Sequence, residues 1–323
     1  MYTESNVTSA ATVTPAATEL RSRDDVLATP AAQRERASEG RGLLFCLLAV
    51  LGFSFTLPAT RIASGELDPF ILGPGRGAVA ALLALIVLCT QRASWPASGQ
   101  LWRLCVVASC VVVGFPLLTS LALMRVPTHH AVVLVGLTPL TTSSIAALRN
   151  GERPSLAFWS CALFGACATI AFGLAAHGFR FAPADALLLA AVLVVALGYS
   201  EGARLTAELG GVRVTCWGLV LALPVTTACI VYALVWRPLP VPSAAALLSF
   251  GYLSLVSSLL AFYAWYRGLA AGGLARGSQV QLLQPILSLV WCSVLLSEPI
   301  GPATLLAGAA VVLSALASRF TRT

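Results

Sequence analysis

Gln281, Gln284 and Ser288 fall at i, i+3 and i+7 of the uncharged stretch that runs from Gly277 to Ser297, with Pro285 among them. Amides facing lipid would go unsatisfied, so this stripe should face the protein interior. There it either binds a polar solute or joins helices at about 1 kcal/mol per hydrogen bond. Thr138 and Thr142 stand in the same relation to Pro139 as Gln284 and Ser288 do to Pro285, which gives a two-sided polar lining. Each proline removes a backbone donor and frees the carbonyl four residues earlier, that of Val135 or Gln281. Prolines so placed are either hinges and site-forming breaks of a carrier or bends that serve packing alone.

Arg76 is the one Arg well inside an apolar run, roughly 6 Å from its centre at 1.5 Å per residue. A charge at that depth costs at least about 2.5 kcal/mol on insertion scales. It therefore either attracts a carboxylate or phosphate, or snorkels and bonds to backbone carbonyls. Glu201, near the end of another apolar run, is a candidate carrier of a coupling proton; the alternative is an interfacial pair with Arg204 at i+3. Tyr263 and Trp265, with Phe262 and Tyr266, either stack on a substrate ring or belong to an interfacial aromatic belt.

Bond-making chemistry finds little support. His129, His130 and His177 lie near helix ends, with a solvated helix start as the default reading of the first two. The nine Cys include no CxxC pair, and no HExxH, GxSxG or Walker A sequence occurs. No metal, cofactor or catalytic residue is expected. An intramembrane enzyme and a receptor without flux remain the competing classes to a carrier of small molecules.

The elements that must hold these residues are membrane helices. Hydrophobic residues make up 58% of the 323 and charged residues 10%, with mean hydropathy +0.87. The apolar residues fall in long runs instead of alternating, as in a polytopic helical membrane protein. All 20 basic residues are Arg, which suggests a GC-rich bacterial genome, and their scatter argues against nucleic acid as a partner. Residues 1–41 read as a disordered cytoplasmic tail. Ten spans follow: Gly42–Ile62, Phe70–Thr90, Leu104–Met124, Thr128–Leu148, Leu156–Ala176, Ala184–Arg204, Val214–Trp236, Ala245–Trp265, Gly277–Leu296 and Pro302–Ser318.

An internal repeat orders them. Leu137-Thr138-Pro139-Leu140 with Gly151-Glu152-Arg153-Pro154 recurs as Leu283-Gln284-Pro285-Ile286 with Ser297-Glu298-Pro299, both members offset by 146. The same offset carries Gly52-Phe53-Ser54 onto Gly198-Tyr199-Ser200. Five spans per repeat (42–176 and 184–318) force the second to enter the membrane inverted. With both termini inside, Arg61, Arg125, Arg180 and Arg237 are the Arg of outer loops, and Arg76 aside the rest fall inside, as the positive-inside rule requires.

Two five-helix repeats with a mid-helix Pro and a terminal Glu-Pro turn resemble the EamA-type transporters of the drug/metabolite transporter superfamily. Arg76 and Tyr263-Ala264-Trp265-Tyr266 followed by Gly268-Leu269 add to the resemblance. It implies an all-α integral membrane bundle in a bacterial plasma membrane that moves small organic metabolites, commonly outward, through a central cavity. The partners expected are a small-molecule substrate, the lipid bilayer and a possible homodimer, on which the GxxxG-like spacings Gly268/Gly272 and Gly273/Gly277, near a loop, say little. The departures are Ser297 where the family often has Gly, the charged end of the sixth span, and the Gln of the ninth.

Overall fold

The computed structural model describes residues 30–149, 155–176, 182–237, 241–272 and 280–320, all of them helix or short connection. The Gly151–Pro154 turn, His177 and residues 1–29 lie outside the described residues. Helix α1 (Pro30–Ser54) continues after a kink at Phe55 as α2 (Thr56–Ser64). A π-helical turn, Ile71–Gly75, leads into α3 (Arg76–Thr90). Helix α4 (Ser98–Val107) passes through a second π-helical turn, Ala108–Gly114, into α5 (Phe115–Leu123). Helices α6 (Thr128–Val135) and α7 (Thr138–Arg149) form one interrupted rod, followed by α8 (Leu156–Ala176). The second half holds α9 (Pro183–Leu209), α10 (Gly211–Trp236), and α11 (Ala244–Tyr252), which a third π-helical turn, Leu253–Leu260, joins to α12 (Ala261–Gly272). Helices α13 (Leu283–Leu296) and α14 (Pro302–Phe320) complete it.

Seven of the described helical stretches are long and apolar enough to cross a membrane, from Gly40–Ser64 to Ala244–Gly268. Leu156–Phe172, Leu283–Leu296 and Pro302–Ala317 are apolar but shorter. Helix α1 begins at Pro30, within the polar stretch that precedes the apolar run from Gly42. Pro suits the first position of a helix, and the Ala, Gln, Arg and Glu that follow are good helix formers, so the helix runs on beyond its apolar part.

The two halves interlock. Helix α1 lies along α12, α3 along α10, α8 along α14, α6 against α13, and α9 against α4 and α5. Close approach requires glycine at the first of these seams. A Cβ on Gly268 would stand 2.8 Å from the Cys46 amide nitrogen and 2.9 Å from the Gly42 carbonyl oxygen. Those are backbone atoms of α1 and cannot turn aside. Gly268→Val is therefore expected to lower the melting temperature of the detergent-solubilised protein by several degrees, an overpacking cost of about 1–3 kcal/mol. Gly251→Ala, where a Cβ meets nothing within 4 Å, is the control expected to be neutral. Equal melting of the two variants would contradict the seam. The same contact means that Gly268 is used within the chain.

Candidate functional site

A cavity opens between the halves where the helices are broken. Its wall comes from equivalent places in each. Phe53 and Tyr199, Val111 and Ser257, Val112 and Ser258, Val135 and Gln281, Thr138 and Gln284, and Pro139 and Pro285 are all related by the 146-residue offset, and all line it. Two of the three π-helical turns supply part of the wall: Val111 and Val112 from one, Ser257 and Ser258 from the other. Extra residues in a turn widen it and re-aim the side chains, a device frequent at functional sites.

The carbonyls freed by Pro139 and Pro285 both find a donor. Val135 O accepts the Thr138 hydroxyl at 2.6 Å, and Gln281 O accepts the Gln284 backbone N–H at 3.0 Å. A third such carbonyl, Ser54 O, is freed by Pro58 and accepts the Ser288 hydroxyl at 2.7 Å, while the Trp291 indole N–H donates to Ser54 Oγ at 3.0 Å. Ser288 thus joins α13 to the end of α1 while touching the cavity. Thr56 and Ser257 satisfy each other across the cavity wall, Oγ1 to Oγ at 2.8 Å. Thr138 likewise has its hydroxyl committed.

Five polar side chains on the wall remain uncommitted: Arg76, Tyr199, Tyr266, Gln281 and Gln284 make no side-chain hydrogen bond among the described residues. Arg76 is 5% exposed, and its Nε is buried without a partner. Its guanidinium makes no ion pair among the described residues. The snorkelling alternative for Arg76 does not fit a side chain that lines an interior cavity.

Several sequence-based assignments fall outside this wall. Thr142 does not line it, and its Oγ1 is buried without a partner. Tyr263 hydrogen-bonds Arg267 through its hydroxyl, at 2.6 Å. Trp265 packs with Cys46, Ala49 and Val50 of α1. The aromatics of α12 that do reach the cavity are Phe262 and Tyr266, in step with Ser258 at i, i+4 and i+8. That spacing was the signal available in the sequence.

Glu201 also lies away from the cavity wall, and the expected Arg204 pair is replaced by a different one. Its carboxylate, 1% exposed, accepts from Arg103 Nε at 3.0 Å and lies in close contact with Arg149 Nη2. Arg103 also reaches Glu208 at 2.7 Å. The exposed Arg204 side chain cannot follow Glu201 inward, whereas α4 and α7 face it directly. The network ties α4, α7 and α9 together at one end of the bundle.

At another position, the helix start at His129-His130 is not solvated as expected. Glu298 accepts the amide N–H groups of Thr128 and His129, each at 2.9 Å, and pairs with His129 Nδ1 at 2.8 Å. His130 is buried with its Nε2 at 2.7 Å from Asp185. Both carboxylates come from the second half, at sequence separations no local pattern reveals.

Known proteins bear on this geometry. The profile of the EamA-like transporter family matches the chain twice, over residues 40–174 and 182–320. The uncharacterized transporter YdeK of Bacillus subtilis is 43% identical over 274 residues, 84% of this chain and 94% of that protein. A probable terminal-alkyne amino-acid exporter of Streptantibioticus cattleyicolor is 24% identical over 267 residues, 81% of this chain and 88% of that one. A solved crystal structure shares the fold with a TM-score of 0.62 at 22% identity, covering 86% of this chain and 97% of its own. With two family matches spanning most of the sequence and a transporter relative at this identity, the chain belongs to the EamA-like transporter family and is a membrane transporter, not an enzyme.

Proposed function

We propose that the protein is a secondary carrier that exports small polar metabolites such as amino acids, by alternating access between two inverted five-helix repeats, 42–176 and 184–318. The seven long apolar helices and the three shorter ones supply the ten spans. Both termini face the cytoplasm of a bacterial plasma membrane in this reading. Packing supports the inverted repeat: α1 against α12 has its counterpart in α9 against α4 and α5, while α3–α10, α6–α13 and α8–α14 each pair a span with its own equivalent. Rocking the repeats about the breaks at Pro139 and Pro285 would expose the cavity to each side in turn. The named relative that exports an amino acid gives the substrate class its precedent.

The observation that carries the reading is the cavity itself, built from equivalent broken helices of both halves with polar groups left for a ligand. Its test is uptake of a labelled mixture of amino acids and other small metabolites, anions and cations included, into proteoliposomes. Accumulation above protein-free vesicles is expected, with at least a fivefold loss in Gln284→Ala. Vesicles that accumulate no member of the mixture would overturn the carrier reading.

A further inference from the structure

We infer that the cavity selects amphipathic monocarboxylates, holding the carboxylate at Arg76 and an aromatic or branched apolar group against the valine and phenylalanine wall, and that it prefers net anions to zwitterions of the same shape. The inference rests on the carrier reading and sharpens its substrate class. Its first ground is charge. Arg76 is the one charged residue among the described residues of the wall, 5% exposed, with an unpartnered Nε and no ion pair. Among the described residues no Asp or Glu lines the cavity. A buried guanidinium without a counter-charge is poorly stabilised until an anion arrives, and its planar fork matches a carboxylate in bidentate fashion.

The second ground is the way polar and apolar residues divide between equivalent positions. Where the first half presents Phe53, Val111, Val112 and Val135, the second presents Tyr199, Ser257, Ser258 and Gln281. Phe115 and Val132 extend the apolar set. Tyr199, Gln281 and Gln284, which make no side-chain hydrogen bond among the described residues, add hydroxyl and amide donors for the carboxylate's remaining lone pairs or for an amide next to it. An α-ammonium, by contrast, finds the side-chain amide oxygens of Gln281 and Gln284 and aromatic faces but, among the described residues, no carboxylate. An N-acylated amino acid or a 2-oxo acid places one negative charge against one positive charge, with no second charge left over. The free amino acid does not.

The test uses three compounds that share one aromatic side chain: N-acetyl-L-phenylalanine (net −1), L-phenylalanine (net zero) and L-phenylalaninamide (net +1). Each is offered to proteoliposomes of the full chain with the membrane potential clamped at zero by potassium and valinomycin. The expected order of initial rates is anion, then zwitterion, then cation, with the anion at least tenfold over the cation. Arg76→Gln is expected to abolish that order by lowering anion transport at least tenfold. A wild-type order led by the cation or the zwitterion overturns the inference even if Arg76→Gln fails to fold. So does an order that persists in a folded Arg76→Gln. If none of the three moves while other members of the metabolite mixture do, the monocarboxylate assignment is wrong and the carrier stands. If nothing in the mixture moves either, both fall.

Discussion

Replacing Glu298 with Gln is expected to lower the melting temperature at pH 7 by roughly 5–10 °C, and the difference from wild type is expected to narrow steadily in acid. The carboxylate sits at the start of α6, whose own N-cap residue is Pro127 and supplies no side-chain acceptor. Two of the free N–H groups of that first helical turn are satisfied by Glu298, from a loop 170 positions along the chain. Negative charge is favoured at a helix N-terminus, and charge-assisted bonds are the stronger kind. Burial works to raise the pKa of Glu298, but the His129 side chain and the backbone N–H groups of Thr128 and His129 outweigh it and hold the group down to about 2. With an unfolded value near 4.5, the depressed pKa is a stability contribution of about 3 kcal/mol. Because the folded pKa is the lower one, that contribution is fully present above pH 4.5 and is lost as pH falls toward 2. Melting curves for both proteins at pH 7, 5 and 3 check the sign. A Glu298→Gln protein that melts with wild type at pH 7 would show the cap to be energetically idle.

The placement of Glu298 also shows which parts of this molecule the sequence discloses. The repeat put Glu298 and Pro285 at fixed separation, and the uncharged runs marked the helices, because lipid imposes both apolar length and backbone closure on each span. Pro139 and Pro285 disclosed the breaks for a local reason: a missing donor leaves a known carbonyl free. What receives that carbonyl can be non-local, as with Ser288 on Ser54 O, and no spacing rule contains it. The cavity's polar face was partly legible, since Arg76, Gln281 and Gln284 are costly in lipid and so had to turn inward. Tyr263 and Trp265 misled because aromatics at i and i+2 do not share a helix face. Phe262 and Tyr266 do, and the π-helical turn at Leu253–Leu260 sets which face of α12 meets the cavity. The partners of His130 and Glu201 were hidden for the reason that hid the cap of α6. Each pair joins residues at least 50 positions apart, brought together by the interlocking of the halves.

Glu201→Gln is expected to loosen the end of the bundle that carries Arg103, and to leave any dependence of flux on a pH gradient intact. The carboxylate holds two guanidiniums, those of Arg103 on α4 and Arg149 on α7, while its own helix, α9, belongs to the other half. A tie of this kind favours whichever conformation keeps the three helices together, so removing its charge shifts the population toward the conformation in which they part. Glu201 is 1% exposed, but Arg103 and Arg149 are 15% and 31% exposed, and water screens their side of the interaction. The stability cost therefore falls between the surface and buried limits, at about 2 kcal/mol. In the proposed orientation this end is cytoplasmic. A cysteine placed at Ser258 on the cavity wall would then react faster with a charged maleimide from that side in the Glu201→Gln background than in the wild-type background, by threefold or more. Mass spectrometry of the peptide separates it from the nine native thiols, none of which lines the cavity. Unchanged labelling would mean that the network is no gate. The pH arm is independent of that result. Glu201 is committed to two cations and does not face the cavity, so a proton bound there has no described contact with substrate. If gradient-driven flux disappears in Glu201→Gln while gradient-free exchange persists, the coupling proton resides at Glu201, and the network is a proton site as well as a tie.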